Sequence, residues 1–302
     1  ASMNPTDDAA TDAPAAARPL VLYHADCMDG LVAAWVLWRS RAWAGGEFVP
    51  VRYGDPPPID LAHGRDVVVL DFSYSREDTI ALAGAAGAFR LLDHHQTAAD
   101  RLAGLPGCTV DMTKSGARLA WEMLHGRKGW APWVVDFVED RDLWRWELHH
   151  SREVNAWLGA RCRTFEDLER VQNDGLDAAR EAGAACLVMI RRYVESAAAE
   201  AQLSYVFGHV VPVVNASRPH VSELLEHLAA GHPFAAAWHR RADGATVYSL
   251  RSAKEGGIDV GALAARIDGG GGRQHTAGFT VPRGHVPMHV PMYDMKGMPE
   301  GR

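Results

Sequence analysis

The stretch 66-DVVVLDF-72 decides the fold. Val67, Val68, Val69 and Leu70 follow one another with no polar interruption. A strand with one wet face would alternate, so this one must be covered on both sides, as in a parallel sheet layered by helices. The run ends in Asp71. A second run, 89-FRLLDHH-95, repeats the pattern and ends in Asp93, His94 and His95. Between the two lies 76-REDTIALAGAAG-87, an Ala-rich stretch of helical character. Strand, helix and strand in this order form a βαβ unit.

Outward from this unit the alternation continues. The runs 20-LVLYH-24, 47-EFVPVRY-53 and 108-CTVDM-112 read as further strands, and 30-GLVAAWVLWRSR-41 reads as a helix. The expected fold class is therefore α/β, with an N-terminal doubly wound, mainly parallel sheet domain. After residue 115 the pattern turns helical, through 115-SGARLAWEMLHG-126, 131-APWVVDFVEDRDLW-144 and a long segment over 175–203. A smaller C-terminal α+β domain follows, with strands near 205-YVFGHVVPVVN-215, 234-FAAAWHRR-241 and 245-ATVYSLRS-252. Helices are expected near 219–230 and 259–267, before 269-GGGGRQHTAGFTV-281. The predicted organisation is a leader over 1–18, a catalytic domain over 19–175, a linker helix over 176–203, a second domain over 204–283 and a tail over 284–302.

The 302 residues suffice for two ordinary domains, and 47% hydrophobic with 23% charged residues is a globular balance. A formal net charge of −7 opposes a long basic track for duplex DNA but leaves room for a small nucleotide. Cys27, Cys108, Cys162 and Cys186 lack C-x-x-C spacing, so reduced thiols and a cytoplasmic location are expected. No apolar run nears the ~20 residues of a spanning helix, and no membrane partner is expected. The acidic, Ala- and Pro-rich start reads as a disordered leader, with Ala1-Ser2 before Met3 resembling a cloning scar. The tandem HVPM-HVPM over 285–292 reads as a poorly ordered or packing terminus rather than a soft-metal site.

The polar residues of the first domain fall at strand ends: His24, Asp71, then Asp93-His94-His95. In an open parallel sheet this edge is where ligands bind. The segment 24-HADCMDG-30 adds Asp26 and Asp29. A single Asp after a strand is usually a helix cap or turn residue. Several carboxylates converging on one crevice would repel without a cation. Carboxylates and histidines with no thiolate pair suit Mn²⁺, or Mg²⁺, and are numerous enough for two ions sharing a bridging carboxylate. Two such ions suit in-line attack of water on phosphorus.

In their order and spacing, 24-HADCMDG-30, Asp71 in 70-LDFSYS-75, 93-DHH-95, 139-EDRDLW-144 and the glycine-rich 269-GGGG…AGF-279 resemble the DHH phosphoesterase family. The resemblance is to small nanoRNase/oligoribonuclease-like members whose second domain is called DHHA1, and it runs from Pro19 to Val281. It implies that Asp71 bridges two manganese ions. His94 and Asp29 would hold one ion, completed by Asp140, with Asp142 as the alternative; His24 would hold the other. His95 would face the substrate, contacting phosphate or helping to protonate the leaving oxygen, and Asp93 would orient the histidines. Two positions depart from the family. Cys27 stands where a first acidic residue is expected, so that either Asp26 reaches the metal by a shifted turn or that ion has fewer ligands. Cys27 itself reads as a packed thiol rather than a ligand. Arg273 follows the glycines where the family has histidine, and His275 comes two residues later.

The glycine loop has its own logic. Gly269, Gly270, Gly271 and Gly272 let backbone N–H groups approach a phosphate, although a flexible hairpin turn would use the same residues. Arg251, Ser252, Arg273 and His275 are the accompanying substrate-binding candidates. Ser115 reads as an N-cap whose helix terminus could also hold phosphate. Trp121, Trp130, Trp133, Trp144, Trp146 and Trp157 read mostly as core, with one or two available to stack a base.

The sequence thus predicts a phosphohydrolase that uses two-metal activation of water on small nucleotides or short oligonucleotides, gripped between the two domains. A single-strand exonuclease, a manganese-dependent pyrophosphatase and a catalytically silent nucleotide sensor are the alternatives. No long duplex DNA is expected as a partner; a homodimer is the remaining partner reading.

Overall fold

The computed structural model describes residues 18–127, 129–284 and 289–291. The leader reading, apart from residue 18, and most of the tail with its tandem repeat lie outside the described residues. The chain divides into two compact units, the first running to residue 179 except for 95–97, the second comprising 95–97 and everything from 180 onward.

The first unit holds a five-stranded sheet: β1 (Leu20–His24), β2 (Glu47–Val51), β3 (Asp66–Leu70), β4 (Ala88–Asp93) and β5 (Cys108–Val110). All neighbours are parallel, in the order β2-β1-β3-β4-β5. From β1 the chain crosses to β2 on one side, then returns past β1 to β3 on the other. The connections therefore diverge between β1 and β3, which opens a crevice at their carboxyl ends.

Strand pleating sorts the apolar side chains onto two faces. Val21, Val68, Leu70 and Leu92 pack with α1 (Met28–Trp38), α5 (Gly116–His125) and α6 (Trp133–Asp142). Leu20, Leu22, Val67, Val69 and Leu91 pack on the other side with Ala62 of α2 (Ile59–Ala62), Leu82 of α3 (Arg76–Ala85) and Leu102 of α4 (Gln96–Leu102). The unbroken valine run of β3 is buried on both faces, as the doubly wound reading requires. Ser75 caps α3 by accepting from the Asp78 N–H at 3.0 Å, and Ser115 caps α5 by accepting from the Arg118 N–H at 3.1 Å. Two further helices, α7 (Ser151–Arg161) and α8 (Phe165–Asp174), complete this unit before α9 (Leu176–Ala198). The division between units falls inside α9.

The second unit is a mixed sheet of β6 (Gln202–Val206), β7 (His209–Asn215), β8 (Ala235–Arg240), β9 (Thr246–Arg251), β10 (Gly271–Arg273), β11 (Thr276–Val281) and β12 (Val290–Pro291). Its order is β10-β11-β9-β8-β7-β6-β12, with β7 and β8 parallel and the other pairs antiparallel. Leu224 and Leu225 of α10 (Val221–Leu228) pack on Val214, Ala235 and Ala237. Val260 and Leu263 of α11 (Val260–Ala264) pack on Val213, Ala236 and Leu250, the opposite face. The segment read as strand over 205–215 is a hairpin. Phe207 and Gly208 take φ of 49° and 88°, the paired positive values of a tight two-residue turn. Among the described residues no helix is long and apolar enough to cross a membrane.

Candidate metal centre

Asp71 follows β3 with φ 54°, a left-handed conformation that Asp tolerates better than most residues. Its N–H donates to the Leu92 carbonyl at 2.9 Å, which ties the turn to β4. The side chain is buried, and its two oxygens face different histidines. His94 Nε2 lies 2.9 Å from Oδ1, and His24 Nδ1 lies 3.4 Å from Oδ2. His94 Nδ1 lies 2.7 Å from the Lys114 carbonyl, an acceptor that fixes the ring proton there and turns Nε2 toward the carboxylates.

Asp29, in the first turn of α1, accepts from the Gly116 and Ala117 N–H groups at 2.6 and 2.9 Å. It thus meets the N-terminus of α5, where the helix dipole favours a negative charge. Asp29 Oδ2 and Asp142 Oδ2 lie 3.5 and 3.6 Å from His94 Nε2. Gly116 makes this approach feasible: a Cβ there would stand 2.6 Å from Asp71 Cβ and 3.1 Å from Asp29 Oδ2. Gly30 does likewise for α1, since a Cβ would collide with the His24 carbonyl.

The candidate ligand atoms fall into three overlapping groups, each within 4.8 Å: His24, Cys27 and Asp71; Asp29, His94 and Asp142; and Asp71, Asp93 and His94 with His95 next along the chain. Electrostatics show how crowded the centre is. Burial, then the charges of Asp71 and Asp142, push Asp29 well above the usual carboxylate range. Burial would also raise Asp71, but the His24 and His94 imidazoles outweigh it and hold Asp71 well below that range. Burial acts to lower His94, yet Asp142, Asp71 and Asp29 together push it up to about 10. Burial, then Asp71, Asp142 and Asp29, raises the Cys27 thiol. Buried carboxylates held this close are compensated best by cations. Asp71 Oδ2, buried and without a well-formed hydrogen bond, fits that role.

Two residues depart from the sequence reading. Asp26 is exposed, with φ 55°, and its Oδ2 accepts from Arg52 Nε at 3.0 Å; it does not join the centre, and Cys27 stands there instead. Asp140 is buried but outside the groups. Its Oδ1 accepts from the Glu147 N–H at 2.9 Å, and its carbonyl from the Arg145 N–H at 2.8 Å. Residues two apart on a helix project about 200° apart, so α6 can aim only one of the pair at His94, and that one is Asp142. Hence Asp142→Ala is expected to weaken metal binding by about tenfold or more with little change in stability. Asp140→Ala is expected to cost about 1–2 kcal/mol and leave metal affinity intact. Paired calorimetric titrations and urea melts would read both; equal effects on metal binding would contradict the placement.

Asp93 is buried at the end of β4, and its Oδ1 accepts from the His94 N–H at 2.7 Å, which shapes the turn carrying the histidines. His95, one residue on, is partly buried. Glu139 was not anticipated: it accepts from the Ser115 N–H at 3.3 Å and Arg118 Nε at 2.9 Å, tying α6 to the start of α5. Its place in the acidic run 139-EDRD-142 was the available signal.

In the second unit, Arg251 and Ser252 are buried at the end of β9. Ser252 Oγ lies 3.0 Å from His275 Nδ1, and the Ser252 N–H donates to the His275 carbonyl at 3.2 Å. Burial is the main cause lowering His275, with Lys254 and Arg251 adding to it against Asp259. Gly271, Gly272 and Arg273 pair with Gly278, Ala277 and Thr276 as a hairpin. Gly272 has φ 151° and no room for a Cβ, which would stand 2.5 Å from Ala277 Cα. A Cβ on Gly270 would collide with the Ala264 carbonyl. Packing alone therefore requires these two glycines. Of the tryptophans, Trp121, Trp133 and Trp157 pack on the core, whereas Trp130 is 98% exposed. Trp144 and Trp146 meet edge to face at 4.8 Å.

No protein-family model matches the chain. An uncharacterized protein, R106, of Acanthamoeba polyphaga mimivirus is 25% identical over 300 residues, covering 89% of this chain and 69% of the relative. Among solved structures, a pGpG-specific phosphodiesterase from Vibrio cholerae is similar with TM-score 0.48 and 14% identity, over 88% of this chain and 93% of that one. RecJ from Thermus thermophilus in complex with Mn²⁺ is similar with TM-score 0.47 and 15% identity, over 87% of this chain and 49% of that one.

Proposed function

We propose that the chain is a metal-dependent phosphoesterase of the DHH type that hydrolyses phosphate esters of small nucleotides or short oligonucleotides. One observation carries the reading: Asp71 is buried beyond β3 with His94 on one oxygen and His24 on the other. A carboxylate so flanked is suited to bridge two divalent cations, one held by His94, Asp29 and Asp142, the other by His24. Bound there, the pair would supply an activated water and charge compensation for in-line displacement at phosphorus.

The chain's own residues do the rest. The α5 N-terminus fixes Asp29, and the Lys114 carbonyl fixes the His94 tautomer, so neither must reorganise during reaction. Asp93 holds the turn that presents His95, which gives a proton to the leaving oxygen. Arg251 and Arg273 in the second unit suit a phosphate, since a guanidinium forks onto two of its oxygens. Each added nucleotide brings charge against a chain of net −7, so short substrates are favoured.

Metal removal tests this directly. Hydrolysis of a dinucleotide is expected to vanish in EDTA and return with Mn²⁺, and kcat/KM is expected to fall steeply toward an oligomer of roughly 20 nucleotides. Comparable turnover of both lengths would favour an exonuclease, and preference for pyrophosphate a pyrophosphatase. Full activity in verified metal-free protein would remove the reading altogether.

A further inference from the structure

The position where the DHH resemblance calls for a carboxylate is filled by sulfur. Asp26, the neighbouring acid, is half-exposed and engaged with Arg52, so it does not serve there. Cys27 precedes α1 with an extended backbone; the Gly30 N–H reaches its sulfur, but no well-formed capping bond results. The sulfur belongs to the group formed with His24 and Asp71. A second, independent feature marks the same spot. Asp71 Oδ2, in a side chain only 1% exposed, points at His24 without a well-formed hydrogen bond. A buried carboxylate oxygen left so is costly unless a cation takes it.

We infer that Cys27 Sγ, as thiolate, is a ligand of the ion beside His24, giving that ion an imidazole–thiolate–carboxylate donor set. The inference deepens the phosphoesterase reading and rests on it. Its consequence is an asymmetric centre. The position held by His94, Asp29 and Asp142 offers only nitrogen and oxygen and suits Mn²⁺ or Mg²⁺. The Cys27 position offers sulfur and favours a softer ion such as Zn²⁺, Co²⁺ or Fe²⁺. A metal requirement assayed with Mn²⁺ alone would then understate what the protein binds.

Cobalt makes the sulfur visible, because a thiolate bound to Co²⁺ gives a near-ultraviolet charge-transfer band that nitrogen and oxygen ligands do not. The full chain, reduced and metal-stripped, is titrated with Co²⁺ alongside Cys27→Ser and Cys27→Asp. The wild type is expected to develop the band, and both variants to lose it while still binding Co²⁺ at the second position. Cys27→Asp is further expected to lower the ratio of Zn²⁺ to Mn²⁺ affinity by about tenfold or more. Cys108, Cys162 and Cys186 remain in the variants, so a band that survives in Cys27→Ser comes from another thiol and overturns the inference. Stoichiometric Co²⁺ without a band also overturns it, yet leaves the phosphoesterase reading standing. No binding to any form removes both.

Discussion

Asp71→Asn is expected to lower kcat/KM for a dinucleotide by on the order of 10³-fold and to reduce bound metal below one ion per chain. Asparagine is the informative replacement. It keeps the size of the side chain and tolerates the φ of 54° at this turn, so the path from β3 survives. What it removes is charge. Asp71 sits between His24 and His94 and faces both. With an amide there, neither of the two proposed ions would have the shared anionic ligand. Loss of the carboxylate also relieves repulsion with Asp29 and Asp142, but it gives up the pairing with His24 and His94 that holds Asp71 ionised in its buried place. The metal-free variant is therefore expected to keep the fold but to be less stable in urea than the metal-free wild type, which retains the Asp71 pairing with both histidines. Activity and metal content both near wild type would contradict the assignment; low activity with a collapsed fold would mean that Asp71 is structural.

Gly116→Ala replaces no candidate ligand, yet the next largest effect is expected from it. The added methyl would lie 2.6 Å from Asp71 Cβ, and both groups are backbone-anchored. Either the α5 N-terminus retreats, loosening the bonds that Gly116 and Ala117 give Asp29, or the Asp71 turn shifts. Overpacking of this kind costs about 1–3 kcal/mol. A displacement near 1 Å at the reacting centre costs about 10²-fold in rate. Stability from urea unfolding and kcat/KM should fall together, and Gly116→Ser should be at least as damaging. A variant with unchanged kcat/KM would show that α5 yields without disturbing the centre.

The sheet was legible in the sequence because its physics is local. Four consecutive apolar residues in β3 demand cover on both faces, and the charged residues that end β1, β3 and β4 mark the edge where connections diverge. His24, Asp29, Asp71 and His94 come together at that edge. What escaped was orientation. Asp140 and Asp142 are equivalent in composition, and only the phase of α6 against the sheet separates them. Asp26 and Cys27 differ by one residue, and the positive φ at Asp26 turns its carboxylate to Arg52 and leaves the thiol facing inward. Gly116 reads as an ordinary helix start; the need for it arises from Asp71, far away in sequence. The hairpin at Phe207-Gly208 sits inside an apolar run whose periodicity gave no warning of a turn. The glycines before Arg273 suggested an anion loop, and their packing against Ala264 and Ala277 shows a structural demand that sequence alone could not weigh.

Anomalous diffraction from crystals soaked in Mn²⁺ would show whether Asp71 organises a two-ion centre. Two anomalous peaks are expected on either side of the Asp71 carboxylate, separated by about 3.5–4 Å, one beside His94, Asp29 and Asp142 and the other beside His24. A single peak, or peaks remote from Asp71, would contradict the account.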